Sequence, residues 1–192
     1  RRVFFGTIPQ TASPDTARRQ SADSLANVDV WRTQDERIQS LQMIRADADR
    51  NFTFRQALDV TTGKYVALTD STMRELGTAP DGRWAVGRDP RGYVADYGRA
   101  RADVYRVNTS TGERTLMFKG LLVGPHAFGF SADSKHWLYW KDDKFQDYDL
   151  DAGVSRTLGA TGAPSFVDME FDYPGPKPSY GIAGFTSDGR GV

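Results

Sequence analysis

Apolar positions along the chain fall in short alternating or clustered runs set between turn-forming residues. Tyr65-Val66-Ala67-Leu68, Val104-Tyr105-Arg106-Val107 and Trp137-Leu138-Tyr139-Trp140 each predict a strand of about four to six residues, because aromatic and β-branched side chains suit a pleated, half-buried surface. One stretch breaks the pattern. Ile38, Leu41, Ile44 and Ala48 are spaced either as one apolar stripe of a short helix ending near Asp49-Arg50-Asn51 or as part of a long strand hairpin.

The turns between these runs repeat. Ala79-Pro80-Asp81-Gly82-Arg83-Trp84, Ser131-Ala132-Asp133-Ser134-Lys135-His136-Trp137 and Phe185-Thr186-Ser187-Asp188-Gly189-Arg190 share one Asp-Gly type signature, with Asp133-Ser134 replacing Asp-Gly in the second. A second signature interleaves with it: Leu58-Asp59-Val60-Thr61-Thr62-Gly63, Val107-Asn108-Thr109-Ser110-Thr111-Gly112 and Leu150-Asp151-Ala152-Gly153. Asp or Asn can hydrogen-bond the backbone just ahead of it, and Gly takes positive φ without a Cβ clash, so each signature reverses a strand. Both recur at roughly 40 to 55 residues, close to the length of a four-stranded propeller blade.

The expected fold is therefore all-β, a β-propeller of four-stranded antiparallel blades forming an incomplete arc of about three to four blades. Counting from this pattern divides the chain into 1–47 (a partial blade and connecting segment), 48–97 and 98–143 (one blade each) and 144–192 (a blade and the start of the next). Phe4-Phe5-Gly6-Thr7 reads as the last strand of a preceding unit, and Asp188-Gly189-Arg190-Gly191-Val192 as the opening of a following one. A longer array is expected, and self-association into homo-oligomers would cover open blade faces.

Charge and composition narrow the functional classes. Lys and Arg total 25 against 25 Asp and Glu, so no basic excess supplies affinity for nucleic acid or an anionic membrane, and neither is an expected partner. Residues are 39% hydrophobic, enough for a buried core. There are no cysteines, which excludes disulfides, thiolate metal sites and a cysteine nucleophile. The longest apolar runs fall far short of the roughly 18 residues of a membrane span.

Several stretches resemble the propeller portion of bacterial serine peptidases of the prolyl oligopeptidase family. They are Val28-Asp29-Val30-Trp31 followed by Gln39 and Gln42, Ala48-Asp49-Arg50-Asn51, Asp103-Val104-Tyr105 leading into Thr111-Gly112-Glu113-Arg114, and Tyr180-Gly181-Ile182-Ala183-Gly184-Phe185-Thr186-Ser187-Asp188. Phe185 stands where such sequences often carry Trp. The resemblance implies a propeller that gates small peptide substrates on their way to a C-terminal α/β-hydrolase domain with a Ser, Asp, His triad, in a periplasmic or secreted protein. The Asp-Gly turns also occur in many TolB-like propellers, so the alternative is a protein-binding scaffold with no peptidase attached.

The candidate chemistry within the chain is sparse. Gly153-Val154-Ser155-Arg156-Thr157 fails the Gly-x-Ser-x-Gly nucleophile elbow at its last position. Asp147-x-Asp149-x-Asp151 imitates the opening of a calcium loop, but Ala152 and Leu158 stand where the loop needs Gly and a bidentate Glu. On a strand the three carboxylates would share one solvated face, opposite Tyr148 and Leu150. His126 and His136 lack zinc-ligand spacing, and His136 is expected on a strand surface. Gly159-Ala160-Thr161-Gly162-Ala163-Pro164 lacks the lysine and helix of a phosphate loop. Asp172 to Tyr180 carries three prolines and reads as an extended surface segment with scope for recognition. Local positive charge comes from Arg1-Arg2, Arg18-Arg19 and Tyr97-Gly98-Arg99-Ala100-Arg101. No catalytic, cofactor-binding or metal-binding residue is assigned, and no cofactor is expected.

Overall fold

A computed structural model describes residues 1–8, 32–35, 37–94, 99–124, 126–159, 162–186 and 191. Eleven strands occur among them: β1 (Arg2–Thr7), β2 (Phe54–Asp59), β3 (Tyr65–Ala67), β4 (Glu75–Thr78), β5 (Trp84–Asp89), β6 (Arg101–Asn108), β7 (Arg114–Leu122), β8 (Ala127–Phe130), β9 (His136–Lys141), β10 (Lys144–Asp149) and β11 (Val154–Thr157). They form three antiparallel sheets, ordered β1-β2-β3, β4-β5-β6-β7 and β8-β9-β10-β11. The three predicted strands lie in β3, β6 and β9.

Period-two alternation in the middle sheet explains how the sheets stack. On β5, Trp84 and Val86 pack with Trp137, Tyr139, Tyr148 and Leu150 of the third sheet, whereas Ala85 packs with Ala57, Val66 and Leu68 of the first. On β6, Val104 takes the third-sheet side while Tyr105 and Val107 take the first-sheet side. Successive side chains on a strand point to opposite faces, so a sheet apolar on both faces needs a neighbour on each. Phe118 of β7 supplies the aromatic centre of the second interface, its ring centroid 4.4 Å from Tyr139 and 5.7 Å from Tyr148. The fold is thus all-β, a series of antiparallel meanders stacked face to face in the manner of propeller blades, without a closed barrel.

Both turn signatures have defined places in this arrangement. The Asp-Gly type closes the first hairpin of a blade: Ala79 N–H donates to the Trp84 carbonyl and Ser131 N–H to the His136 carbonyl, each at 2.9 Å. Thr186 N–H donates to the Gly191 carbonyl at the same distance, so the third copy begins the same way, while Asp188, Gly189 and Arg190 lie outside the described residues. The Asx-Gly type closes the last hairpin. Gly63, Gly112 and Gly153 N–H donate to the carbonyls of Asp59, Asn108 and Asp149, each at 2.8 Å, with φ of 70°, 77° and 73°. Asp59, Asn108 and Asp149 each accept a backbone N–H two residues ahead through their Oδ1 atoms.

Two sequence expectations differ from this arrangement. The boundaries at 97/98 and 143/144 fall between the second and third strands of the two complete sheets, which put the counted segments two strands out of phase with the blades. The cause is the loop between β5 and β6, which lacks a turn signature and resembles a break between units. Phe4 to Thr7 are not the last strand of a separate unit either: β1 pairs with β2 in register Arg2↔Asp59 through Thr7↔Phe54, and residues 8–53 intervene where other sheets have a loop.

That intervening segment contains the helix, α1 (Gln39–Arg50), so the hairpin alternative does not hold. Asn51 closes it, its Nδ2 and backbone N–H both donating to the Asp47 carbonyl. The apolar stripe forms but does not enter a core: Ile38 and Ile44 are 41% and 77% exposed, and no residue of the helix is buried.

Ser134 shows why Asp-Ser can replace Asp-Gly. It holds a positive φ of 64°, which costs a side-chain residue roughly 1–2 kcal/mol, and its hydroxyl accepts the Asp81 N–H of the neighbouring blade at 3.0 Å. That bond offsets the conformational cost by about 1 kcal/mol.

Gly63 and Gly112 provide a matched test of the blade interface. Both hold a left-handed conformation, but a Cβ on Gly63 meets open space, while one on Gly112 comes within 2.9 Å of the Ala67 carbonyl oxygen in the first sheet. Gly63→Ala is expected to cost about 1 kcal/mol and Gly112→Ala at least about 1 kcal/mol more, from the added clash. Denaturant unfolding of the two variants checks this, and equal losses would contradict the interface geometry.

Candidate functional site

The end of α1 brings an open groove into being beside the first strands of the two complete blades. One cavity of about 700 Å³ is lined by Ala48 and Asn51 at the helix end, Phe52, Thr53 and Arg55 leading into β2, Glu75 to Gly77 of β4, and Gly129 and Phe130 of β8. Arg74, Val86, Arg88 and Trp137 complete it. A second cavity of about 540 Å³ shares Ala48, Phe52, Arg74 and Glu75 with the first and adds Asp35, Arg37, Gln42, Arg45 and Arg91. The two are therefore compartments of one groove, with arginines outnumbering carboxylates along its walls.

Contacts within the groove separate held cations from free ones. Arg74 donates to Asp49 at 2.6 Å and sits 4.0 Å above the Phe52 ring, so helix, loop and β4 are tied together at that point. Arg88 lies 3.7 Å from Glu75. The Arg55 guanidinium has no partner among the described residues. Phe52, Phe130 and Leu76 supply apolar surface beside these cations. Such a wall can take a chain segment that carries carboxylates next to apolar side chains, since arginine grips a carboxylate through paired N–H groups.

The residues flagged from sequence are dispersed rather than gathered. The three calcium-like carboxylates point to different partners. Asp147 is 3% exposed and accepts from Arg156 Nε at 2.7 Å, with His136 Nδ1 3.0 Å away. Asp149 caps its own turn through Ala152 N–H and Asp151 N–H. Asp151 accepts Trp84 Nε1–H at 2.8 Å and Arg83 at 3.0 Å, which hold its carboxyl below the usual carboxylate range. The expectation of one solvated face is corrected here, because β10 is an inner strand and buries Asp147 beside Arg156 and His136 as well as burying Tyr148. Among the described residues no group of three or more His, Asp or Glu is placed to hold a metal ion.

Ser155 lies on the exposed edge strand β11, where its hydroxyl accepts from the Tyr139 hydroxyl at 3.1 Å. No strained strand-to-helix turn presents it. His136 begins β9, but rather than standing on the strand surface its side chain is 24% exposed and lies against the buried Asp147 carboxylate. His126 is 2% exposed, with no hydrogen-bond partner for Nε2 among the described residues. The Asp172–Tyr180 stretch is irregular but anchored: Asp168 N–H donates to the Pro178 carbonyl, and Trp140 Nε1–H to the Lys177 carbonyl at 2.9 Å. Val28 to Trp31, Arg18, Arg19, Tyr97, Gly98, Ala160 and Thr161 lie outside the described residues. The groove itself was missed by motif reading, since its arginines come from separated elements. The helix-length stripe before residue 49 was the one signal that pointed toward it.

No protein-family model matches the sequence, and no curated protein matches it. Solved structures similar to the chain include TolB from Acinetobacter baumannii, at 17% identity over 71% of this chain and 30% of that one, with a TM-score of 0.38. Another is putative TolB from Agrobacterium tumefaciens, at 16% identity over 57% of this chain and 41% of that one, with a TM-score of 0.30. The chain thus spans less than half the length of either. The prolyl oligopeptidase resemblance has no counterpart in these two. Among the described residues no helix is long and apolar enough to cross a membrane.

Burial disfavours the charged form of His126, and Arg99 and Arg101 add repulsion, so its pKa lies below the ordinary imidazole value. The unfolded chain then binds the proton first as pH falls. Stability contributed by neutral His126 is complete above the unfolded value of about 6.5 and is lost as pH drops through it toward the folded pKa. Denaturant midpoints measured between pH 7 and pH 5 are expected to fall in the parent chain, with a visibly shallower slope in His126→Phe.

Proposed function

We propose that this chain is a non-catalytic propeller segment that docks an acidic, partly apolar segment of a protein partner in the groove between α1, β4 and β8. The observation that carries the reading is the Arg55 guanidinium, without a partner among the described residues, in a groove whose walls also hold Arg37 and Arg45, while Arg74, Arg88 and Arg91 are held by Asp49, Glu75 and Asp89. Charge complementarity selects such a segment, and the aromatic surface adds apolar contact. This is the scaffold function of a TolB-like propeller, in a periplasmic or secreted setting. Gating of peptides on their way to a C-terminal α/β-hydrolase domain would use the same groove, with the catalytic triad supplied by that domain rather than by these residues.

The test uses a labelled peptide alternating Glu and Phe and a matched peptide alternating Lys and Phe. The acidic peptide is expected to bind, to weaken as salt is raised, and to lose roughly tenfold in affinity with Arg55→Glu. Arg55 is exposed, so thermal unfolding of the variant should match the parent. Equal binding of both peptides would overturn the assignment. No peptide hydrolysis is expected, and hydrolysis that disappeared in Ser155→Ala would replace this reading with an enzymatic one.

A further inference from the structure

On a different part of the fold, beside β7 and the β9–β10 turn, a separate cavity of about 390 Å³ has a buried floor and a charged rim. Leu121, Leu122, His126 and Trp140 form the floor, all buried. Arg101, Lys119 and Lys141 stand at the rim with Asp142 and Asp143, and Pro176 and Lys177 form one wall. The wall is held in place. Trp140 Nε1–H donates to the Lys177 carbonyl at 2.9 Å, and Arg99 donates to the Pro176 carbonyl while its guanidinium lies 4.4 Å from the Phe171 ring centroid.

Two polar atoms at this place are buried without a partner among the described residues: His126 Nε2 and one terminal nitrogen of Arg99. Leaving a buried donor unpaired normally costs about 1–3 kcal/mol, and such atoms are rare in folded proteins. His126 is 2% exposed, so ordinary solvation does not satisfy it. Its depressed pKa keeps the imidazole neutral near pH 7, with one N–H free to donate. Arg101, Lys119, Lys141 and Lys177 leave the cavity with excess positive charge after Asp142 and Asp143 are counted. The rim carboxylates oppose a doubly charged phosphate more than a single carboxylate, and the leucine and tryptophan floor suits an apolar side chain.

We propose that this cavity binds the C-terminal carboxylate of a peptide whose last side chain is apolar. The carboxylate would accept from His126 Nε2 and face the Arg101 and lysine cations, while the terminal side chain rests on Leu121, Leu122 and Trp140. This site is distinct from the groove beside α1 and takes a different feature of a polypeptide, its free end rather than an acidic run.

The probes are N-acetyl-Gly-Leu, its C-terminal amide and acetate, titrated into the 192-residue chain by calorimetry with parallel NMR of the His126 imidazole. The free acid is expected to bind with a dissociation constant on the order of 1 mM or tighter, and the amide roughly tenfold or more weakly, since it lacks the charge. The His126 resonances should shift with the acid and stay in place with the amide. Lys141→Gln, an exposed change, should weaken acid binding severalfold, and His126→Phe should abolish it. Equal binding of acid and amide, or no binding of either, overturns the proposal. Acetate binding as tightly as N-acetyl-Gly-Leu also overturns it, because the apolar floor would then contribute nothing. Should His126→Phe fail to fold, the parent-chain NMR titration and Lys141→Gln decide the matter.

Discussion

A sheet that is apolar on both faces cannot stand alone in water, and the middle sheet of this chain is such a sheet. Val86 and Val104 look toward one neighbour while Ala85 and Val107 look toward the other. Every larger feature follows from that alternation. Because hydrophobic burial is non-directional, alternation alone would permit sliding between sheets. Side-chain size restrains it: Gly87 leaves the space that Met73 fills, and Phe118 enters the ring cluster of Trp137, Tyr139 and Tyr148.

Polar ties between the turns add direction. Arg2 at the start of β1 and Trp84 at the start of β5 each reach the last-hairpin turn of the next blade: Arg2 donates to the Thr109 and Ser110 hydroxyls, and Trp84 to the Asp151 carboxylate. Arg106 adds a bond to the Leu150 carbonyl at 2.6 Å. These donors differ in chemistry yet occupy the same register, opposite Asp59 and Asn108 respectively. Charge-assisted and side-chain-to-backbone bonds have strict geometry, so they set the relative placement that apolar contact leaves loose.

The two candidate binding places arise where the blade pattern is interrupted. The groove lies where residues 8–53 replace a short connection, and the smaller cavity lies where a proline-bearing segment folds back over β9 and is held by Trp140 and Arg99. Repeated hairpins supply rigid walls, and the irregular segments supply the features that differ from blade to blade. Loops on a rigid scaffold commonly carry recognition for this reason.

Strand positions, the two turn signatures and the stacked-meander architecture were legible in the residues, because alternation and left-handed turn glycines are local properties that neighbouring positions report directly. The phase of the repeat was not, since whether two hairpins share a blade depends on which strands pair, and Arg2–Thr7 pairs across an interval of some fifty positions. The choice of helix over hairpin at 39–50 was open for a related reason: its stripe gains no burial that would decide between them. Asp147 shows the limit most plainly. A sequence read as an alternating acidic face becomes a buried carboxylate beside Arg156 and His136, because strand order, not local pattern, determined that β10 would be covered. The arginine groove and the unpaired His126 belong wholly to tertiary structure, where residues far apart in the chain are brought to one cavity by the stacking of sheets.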